Sequence, residues 1–182
     1  MDSGAAHPLE CAPDEFKTDR EIVLLAVQSN GRDSLEYASE ELKADREIVL
    51  AAVQNDGWAL EHITEELKSD REIVLAAVQS VGIALKLASE ALKSDHEIVL
   101  EAVQSFGSAL EYAADELKAD REIVLAAVQN GWALGFAADE FKSDLEIVLA
   151  AVQNDGSALE YAADEFKSDR EIVLAAVQND GW

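Results

Sequence analysis

Apolar positions recur along the chain in two alternating patterns, and both return about every 25 residues. The first begins with Asp-Arg-Glu-Ile-Val-Leu at Asp19, Asp45, Asp70, Asp120 and Asp169, and comes back as Asp-His-Glu at Asp95 and Asp-Leu-Glu at Asp144. In the copy at Asp95, Ile98, Val99, Ala102 and Val103 fall on one stripe of a 3.6-residue helix, widened by Leu100, with Glu97 and Gln104 opposite. The spacing predicts a helix from about Asp95 to Gln104. Glu101 replaces the alanine found at Ala51, Ala76, Ala126, Ala150 and Ala175, which marks that position as solvent-facing, because an unpaired buried carboxylate is costly. An apolar arc this wide suits a helix held between two neighbours.

The predicted start is the aspartate itself, whose carboxylate can accept from the free N–H groups of the first turn. Ser94 competes on capping-box spacing with Glu97. Ala44 and Ala119 hold the serine position in other copies that keep the aspartate, so aspartate is the preferred cap throughout. The predicted stop is a glycine: Gly31, Gly57, Gly82, Gly107, Gly131, Gly156 and Gly181. A left-handed helix end is the reason to expect glycine there.

The second pattern follows each glycine. Its copy at Leu110 reads Leu-Glu-Tyr-Ala-Ala-Asp-Glu-Leu-Lys. A continuous helix would put Leu110, Ala113, Ala114 and Leu117 on one face and Tyr112 on the other. Ser108-x-x-Glu111 and Ser157-x-x-Glu160 offer capping-box starts, and Asp33-x-x-Glu36 is a variant. A break near Ala114 is equally consistent, since Ser39, Thr64 and Ser89 stand there in other copies and can cap a separate turn. Each repeat therefore holds two helices, or two and a short third.

A period of this size predicts an all-α solenoid, in which each layer buries its apolar face only against its neighbours. Seven degenerate two-helix units fit, at about 8–31, 32–57, 58–82, 83–107, 108–131, 132–156 and 157–181, forming a single array over 1–182. The first opens on a degenerate second pattern, Leu9 to Lys17, interrupted by Pro13. One residue is gained at Gly31-Arg-Asp-Ser-Leu35 and one is lost before Gly131, both in the connection where stripes are least disturbed.

Charge narrows the function classes. With 38 acidic residues against 14 lysines and arginines, the formal net charge is -24, and most of the surface repels a phosphate backbone. Nucleic acid is not an expected partner. A protein partner is, and a basic one suits the field best. No apolar run is long enough for membrane insertion. Residues 1–7 lack the basic and apolar segments of a secretory signal, and the single Cys11 fits a reducing, intracellular setting. Cys11 reads as a small hydrophobe.

Little supports catalysis, and no enzyme activity is expected. His7, His62 and His96 stand at different repeat positions, so no metal site is implied. The Asn-Asp-Gly loops lack the alternating oxygens of a calcium loop. No phosphate-binding glycine loop or zinc-protease motif is present, and no cofactor is expected.

Unit-specific information falls instead on the positions that vary. The residues flanking the repeat glycine place Trp58, Val81, Ile83, Phe106, Trp132 and Trp182 along one edge, where aromatics can anchor a protein partner or fold over the adjacent layer. A second ladder, Tyr37, His62, Leu87, Tyr112, Phe136 and Tyr161, with Cys11 as a degenerate first rung, forms either an exposed groove or the contact to the next unit. Two readings follow: an acidic scaffold for protein–protein interaction, or a structural spacer that self-associates end to end.

The recurrent Asp-Arg-Glu-Ile-Val-Leu-Ala-Ala-Val-Gln-Asn-Asp-Gly, followed by Ala-Leu-Glu-Tyr-Ala-Ala-Asp-Glu-Phe-Lys-Ser, resembles a family of short α-helical repeats of unknown function, common in algae and dinoflagellates. The match runs from Leu9 to Gly181. It implies an all-helical array and carries no catalytic residues to transfer. Lys86 and Gly135 depart from the pattern at a position that is otherwise glutamate.

Overall fold

The structure is a computed structural model that describes residues 7–179. No strand occurs among them. Seven helices repeat the first pattern: α1 Arg20–Ser29, α2 Arg46–Asn55, α3 Arg71–Ser80, α4 His96–Ser105, α5 Arg121–Gln129, α6 Leu145–Asn154 and α7 Arg170–Asn179. The chain forms two compact units that divide after Ser89. In the first, α1 packs on α2 and α2 on α3; in the second, α4, α5, α6 and α7 pack in the same serial order.

Each helix starts where the sequence placed it. The carboxylates of Asp19, Asp45, Asp70, Asp120 and Asp169 each accept two first-turn N–H groups, for example from Glu122 at 2.9 Å and Ile123 at 3.1 Å onto Asp120. A cap of this kind contributes about 1 kcal/mol. The expected stripe is the core: Ile98, Val99, Ala102 and Val103 are fully buried in α4, as are Ile123, Val124, Ala127 and Val128 in α5. Each Ile or Val so buried stabilises by ~1.5–3 kcal/mol. Glu101 is only half-buried, so its carboxylate reaches water.

The second pattern is not one helix. It divides into a six-residue 3₁₀ helix, such as Gly107–Tyr112, and a short further turn, such as Asp115–Lys118. Ala113 and Ala114 between them are extended. The break is fixed by the neighbouring layer: Ala114 N–H donates to the Lys93 carbonyl at 2.9 Å, and Ser39, Ser89, Ala138 and Ala163 donate likewise to Lys17, Lys68, Lys118 and Lys142. A continuous helix would spend those N–H groups internally. The capping boxes expected at Ser108 and Ser157 are not formed as starts, because both serines lie inside 3₁₀ helices that begin at Gly107 and Gly156. The extended residue before the glycine takes that role, and Asp155 accepts from Ser157 N–H at 2.9 Å.

The glycines also differ from expectation. Among the described residues only Gly131 has a positive φ, at 143°. Gly31, Gly57 and Gly107 are required by closeness rather than by torsion. A Cβ on Gly31, Gly57 or Gly107 would sit 2.2, 2.3 or 2.1 Å from the carbonyl oxygen of Ala52, Ala77 or Ala127 in the following helix. The same backbone is tied down by Gly31 N–H donating to Asn55 Oδ1 at 2.9 Å and Gly57 N–H to Ser80 Oγ at 3.2 Å.

Length changes in this connection alter the local helix type and leave the stripes intact. The extra residue after Gly31 turns the 3₁₀ helix into a seven-residue α-helix, Gly31–Tyr37. The missing residue before Gly131 forces its positive φ and leaves only Leu134–Phe136 as 3₁₀. Leu35 and Leu134 are fully buried in both cases.

An arginine ladder ties consecutive layers and was not anticipated from the repeat. Arg20 donates to Asp45 at 2.9 Å and to Glu47, Arg46 to Asp70 at 2.9 Å and to Glu72, and Arg121 to Asp144 at 3.5 Å and Glu146 at 2.6 Å. The Arg46 hydrogen bond holds the Asp70 carboxyl below the usual carboxylate range, against the upward push of its burial and with help from Ile73 and Glu72 N–H. A folded value below the unfolded one near ~3.9 makes this contribution complete above about pH 4 and lost as the pH falls through the folded value. Asp70→Asn is therefore expected to lower the melting temperature at pH 7. The gap to wild type should narrow below about pH 4, as thermal melts across that range would show. A gap independent of pH would remove the ion pair from the account.

Candidate functional site

After three of the repeat glycines, Gly31, Gly57 and Gly131, the following residue reaches the next layer, and its partner there differs each time. Arg32 donates to Glu61 at 2.7 Å. Trp58 lies under Lys86, whose Nζ is 4.3 Å from the ring centroid. Trp132 meets Tyr161 edge-on, with ring centroids 5.5 Å apart and planes at 71°. One register thus carries an ion pair, a cation–π contact and an aromatic pair.

The two tryptophans are held differently. Trp58 is the second residue of the 3₁₀ helix Gly57–His62, its N–H donating to Asp56 Oδ1 at 2.9 Å. It is half-buried. Trp132 follows Gly131 with its positive φ, stands outside the shortened 3₁₀ helix and is 47% exposed. Besides Tyr161 it contacts Phe136, centroids 6.4 Å apart at 79°. Together with Gly135 these rings line a cavity of about 170 Å³.

Gly135 is what admits the Tyr161 ring. A Cβ there would lie 3.1 Å from both Cδ1 and Cε1 of that ring. The equivalent positions after the other glycines hold Glu36 (one residue later, because of the insertion), Glu61, Lys86, Glu111 and Glu160. Both departures noted in the sequence, Lys86 and Gly135, therefore belong to the surroundings of a loop tryptophan.

The remaining edge residues divide between the two units. In the first, Val81 and Ile83 are half-buried beside Gly82. In the second, Phe106 is 50% exposed. Trp182 lies outside the described residues. The second ladder is half-buried at all six positions: Tyr37, His62, Leu87, Tyr112, Phe136 and Tyr161. Two of its rungs, Phe136 and Tyr161, join Trp132, so the edge and the ladder meet there. Tyr37 stacks on His7 at 5.7 Å. Burial, then the charges of Glu10, Glu36 and Asp33, raise its phenol above the usual range. Burial and Glu111 do the same at Tyr112. His62 Nε2 is buried without a hydrogen-bond partner.

Cys11 is exposed, contrary to its reading as a small hydrophobe. It ends the one-turn helix Pro8–Cys11, in which Leu9 alone is buried. Among the described residues, no group of three or more His, Cys, Asp or Glu is placed to hold a metal ion. No helix there is long and apolar enough to cross a membrane.

No curated protein and no solved structure matched the chain. A protein-family model described as "Domain of unknown function (DUF4116)" matched four times in tandem, over residues 7–43, 45–93, 95–142 and 144–182. The first three matches end near the close of a short post-3₁₀ turn, and the last three begin at an aspartate cap, Asp45, Asp95 or Asp144. Each of the two internal matches, 45–93 and 95–142, thereby spans two helical layers. With all-helical layers repeating in register and matches covering most of its length, the chain belongs to the DUF4116 repeat family.

Proposed function

We propose that the protein is a non-catalytic acidic scaffold that binds a protein partner through aromatic residues at the layer edge. Trp132 carries this reading: a large ring, nearly half exposed, is held by Tyr161 and Phe136 on a packed helical frame. Rigid, partly exposed tryptophan and tyrosine are favoured binding anchors. The net charge of -24 favours a basic partner and disfavours nucleic acid. An intracellular location accords with the lone exposed cysteine.

Trp132→Ala is expected to weaken partner binding by more than about tenfold with helicity by circular dichroism unchanged. Trp58→Ala should act less, since Lys86 already covers that ring. Partner affinity indifferent to both substitutions would end the aromatic-edge reading.

A self-stacking spacer is the second reading, and α7 favours it: Leu174 is 46% and Val177 68% exposed. Light scattering that rises with concentration and is abolished by Val177→Glu would support it. A constant monomer mass over a wide concentration range would not.

A further inference from the structure

We propose that the Trp132 pocket takes an alkylammonium group, supplied by a lysine side chain of the partner. This rests on and deepens the scaffold reading by naming the chemistry that the Trp132 edge recognises.

The chain provides its own precedent. At Trp58 the residue four positions beyond the next repeat glycine is Lys86, and its ammonium sits 4.3 Å from the indole centroid. Ammonium groups are drawn to the negative face of an aromatic ring, most strongly of tryptophan. At Trp132 the same register, four beyond Gly156, holds Glu160. The cation that satisfies the first tryptophan has been replaced by a carboxylate at the second.

Around Trp132 the surroundings have changed together. The ladder residue of its own layer is Phe136, where the Trp58 layer has His62; the ladder residue of the next layer is Tyr161, where the earlier one has Leu87. Gly135 removes the side chain that would press on Tyr161. The outcome is three aromatic rings around about 170 Å³, a size comparable to cavities of ~150 Å³ that hold a benzene ring. An aromatic enclosure in a strongly acidic protein selects for a compact organic cation over an anion or a neutral apolar group of equal size.

The test is a titration of the full chain with Nα-acetyl-lysine methylamide, its Nε-trimethyl form and the uncharged norleucine analogue, followed by the ring resonances of Trp132, Phe136 and Tyr161. Both cations are expected to give saturable shifts at those rings, with norleucine at least about tenfold weaker. Trp132→Ala should abolish the shifts, and Gly135→Ala, whose methyl would press on the Tyr161 ring from 3.1 Å, should weaken them. Unchanged helicity by circular dichroism confirms that both variants fold.

Absence of saturable shifts with either cation, or equal binding of norleucine, would overturn the proposal. If the cations fail while Trp132→Ala still weakens partner binding, the ammonium pocket is refuted and the scaffold stands. If they bind while partner affinity ignores Trp132→Ala, the pocket chemistry holds and the partner-binding reading fails.

Discussion

Gly107→Ala is expected to destabilise the second unit by about 3 kcal/mol or more, at or beyond the upper end of ordinary overpacking. Its Cβ would lie 2.1 Å from the Ala127 carbonyl oxygen and 2.9 Å from Gly131 N. Both are backbone atoms, so no rotamer change relieves the clash. The layer can accept the methyl group only by moving away from α5, which loosens contacts made by Ala127 and Val128, both fully buried. Gly131→Ala is the informative comparison. There the added atom meets nothing closer than 3.5 Å, but the backbone has φ 143°, so its penalty is torsional strain of about 1–3 kcal/mol. Urea denaturation should show the larger loss at Gly107. A nearly neutral Gly107→Ala would mean that the layers do not approach as closely as described.

Leu110→Ala is expected to cost about 2–5 kcal/mol, the range for deleting a fully buried leucine. Leu110 has no exposed surface, and the 3₁₀ helix that carries it packs on both α4 and α5. In a serial stack each layer is supported by its immediate neighbours. Hydrogen exchange should therefore accelerate most in α4 and α5, with less change in α7. Leu117 is only half-buried, so Leu117→Ala should cost appreciably less. A continuous second helix would put both leucines on one buried face, and equal losses at the two sites would favour it.

The features legible in the sequence are those set by interactions within one layer. Aspartate caps could be read because the carboxylate and the N–H groups it accepts lie two or three residues apart. The Ile-Val-Ala-Val stripe could be read because its period is that of the helix itself. The break at Ala113–Ala114 could be written only as an alternative, since it depends on the Lys93 carbonyl of the preceding layer.

The repeat glycine was placed correctly, but among the described residues the positive torsion expected of it occurs only at Gly131. Sequence shows that a side chain is missing, but not whether torsion or proximity forbids it. The nearby Ala127 oxygen becomes visible only when layers are stacked. Arg20, Arg46 and Arg121 each bridge to the cap aspartate of the following copy and to the glutamate two residues beyond it. That shared register, not the neighbouring acids in sequence, was the available signal. Gly135 and Lys86 stood out as departures, while their shared relation to Trp132 and Trp58 required the geometry between successive layers.

The seat beneath the glycine also bears on how such chains change length. Gly31, Gly57 and Gly107 each rest against the same alanine carbonyl of the following helix. Joining one copy's glycine to another copy's downstream segment would recreate an equivalent seam. Unequal crossing-over could thus add or remove whole modules without inventing a new junction, leaving selection free to act on the aromatic and charged residues displayed beside it.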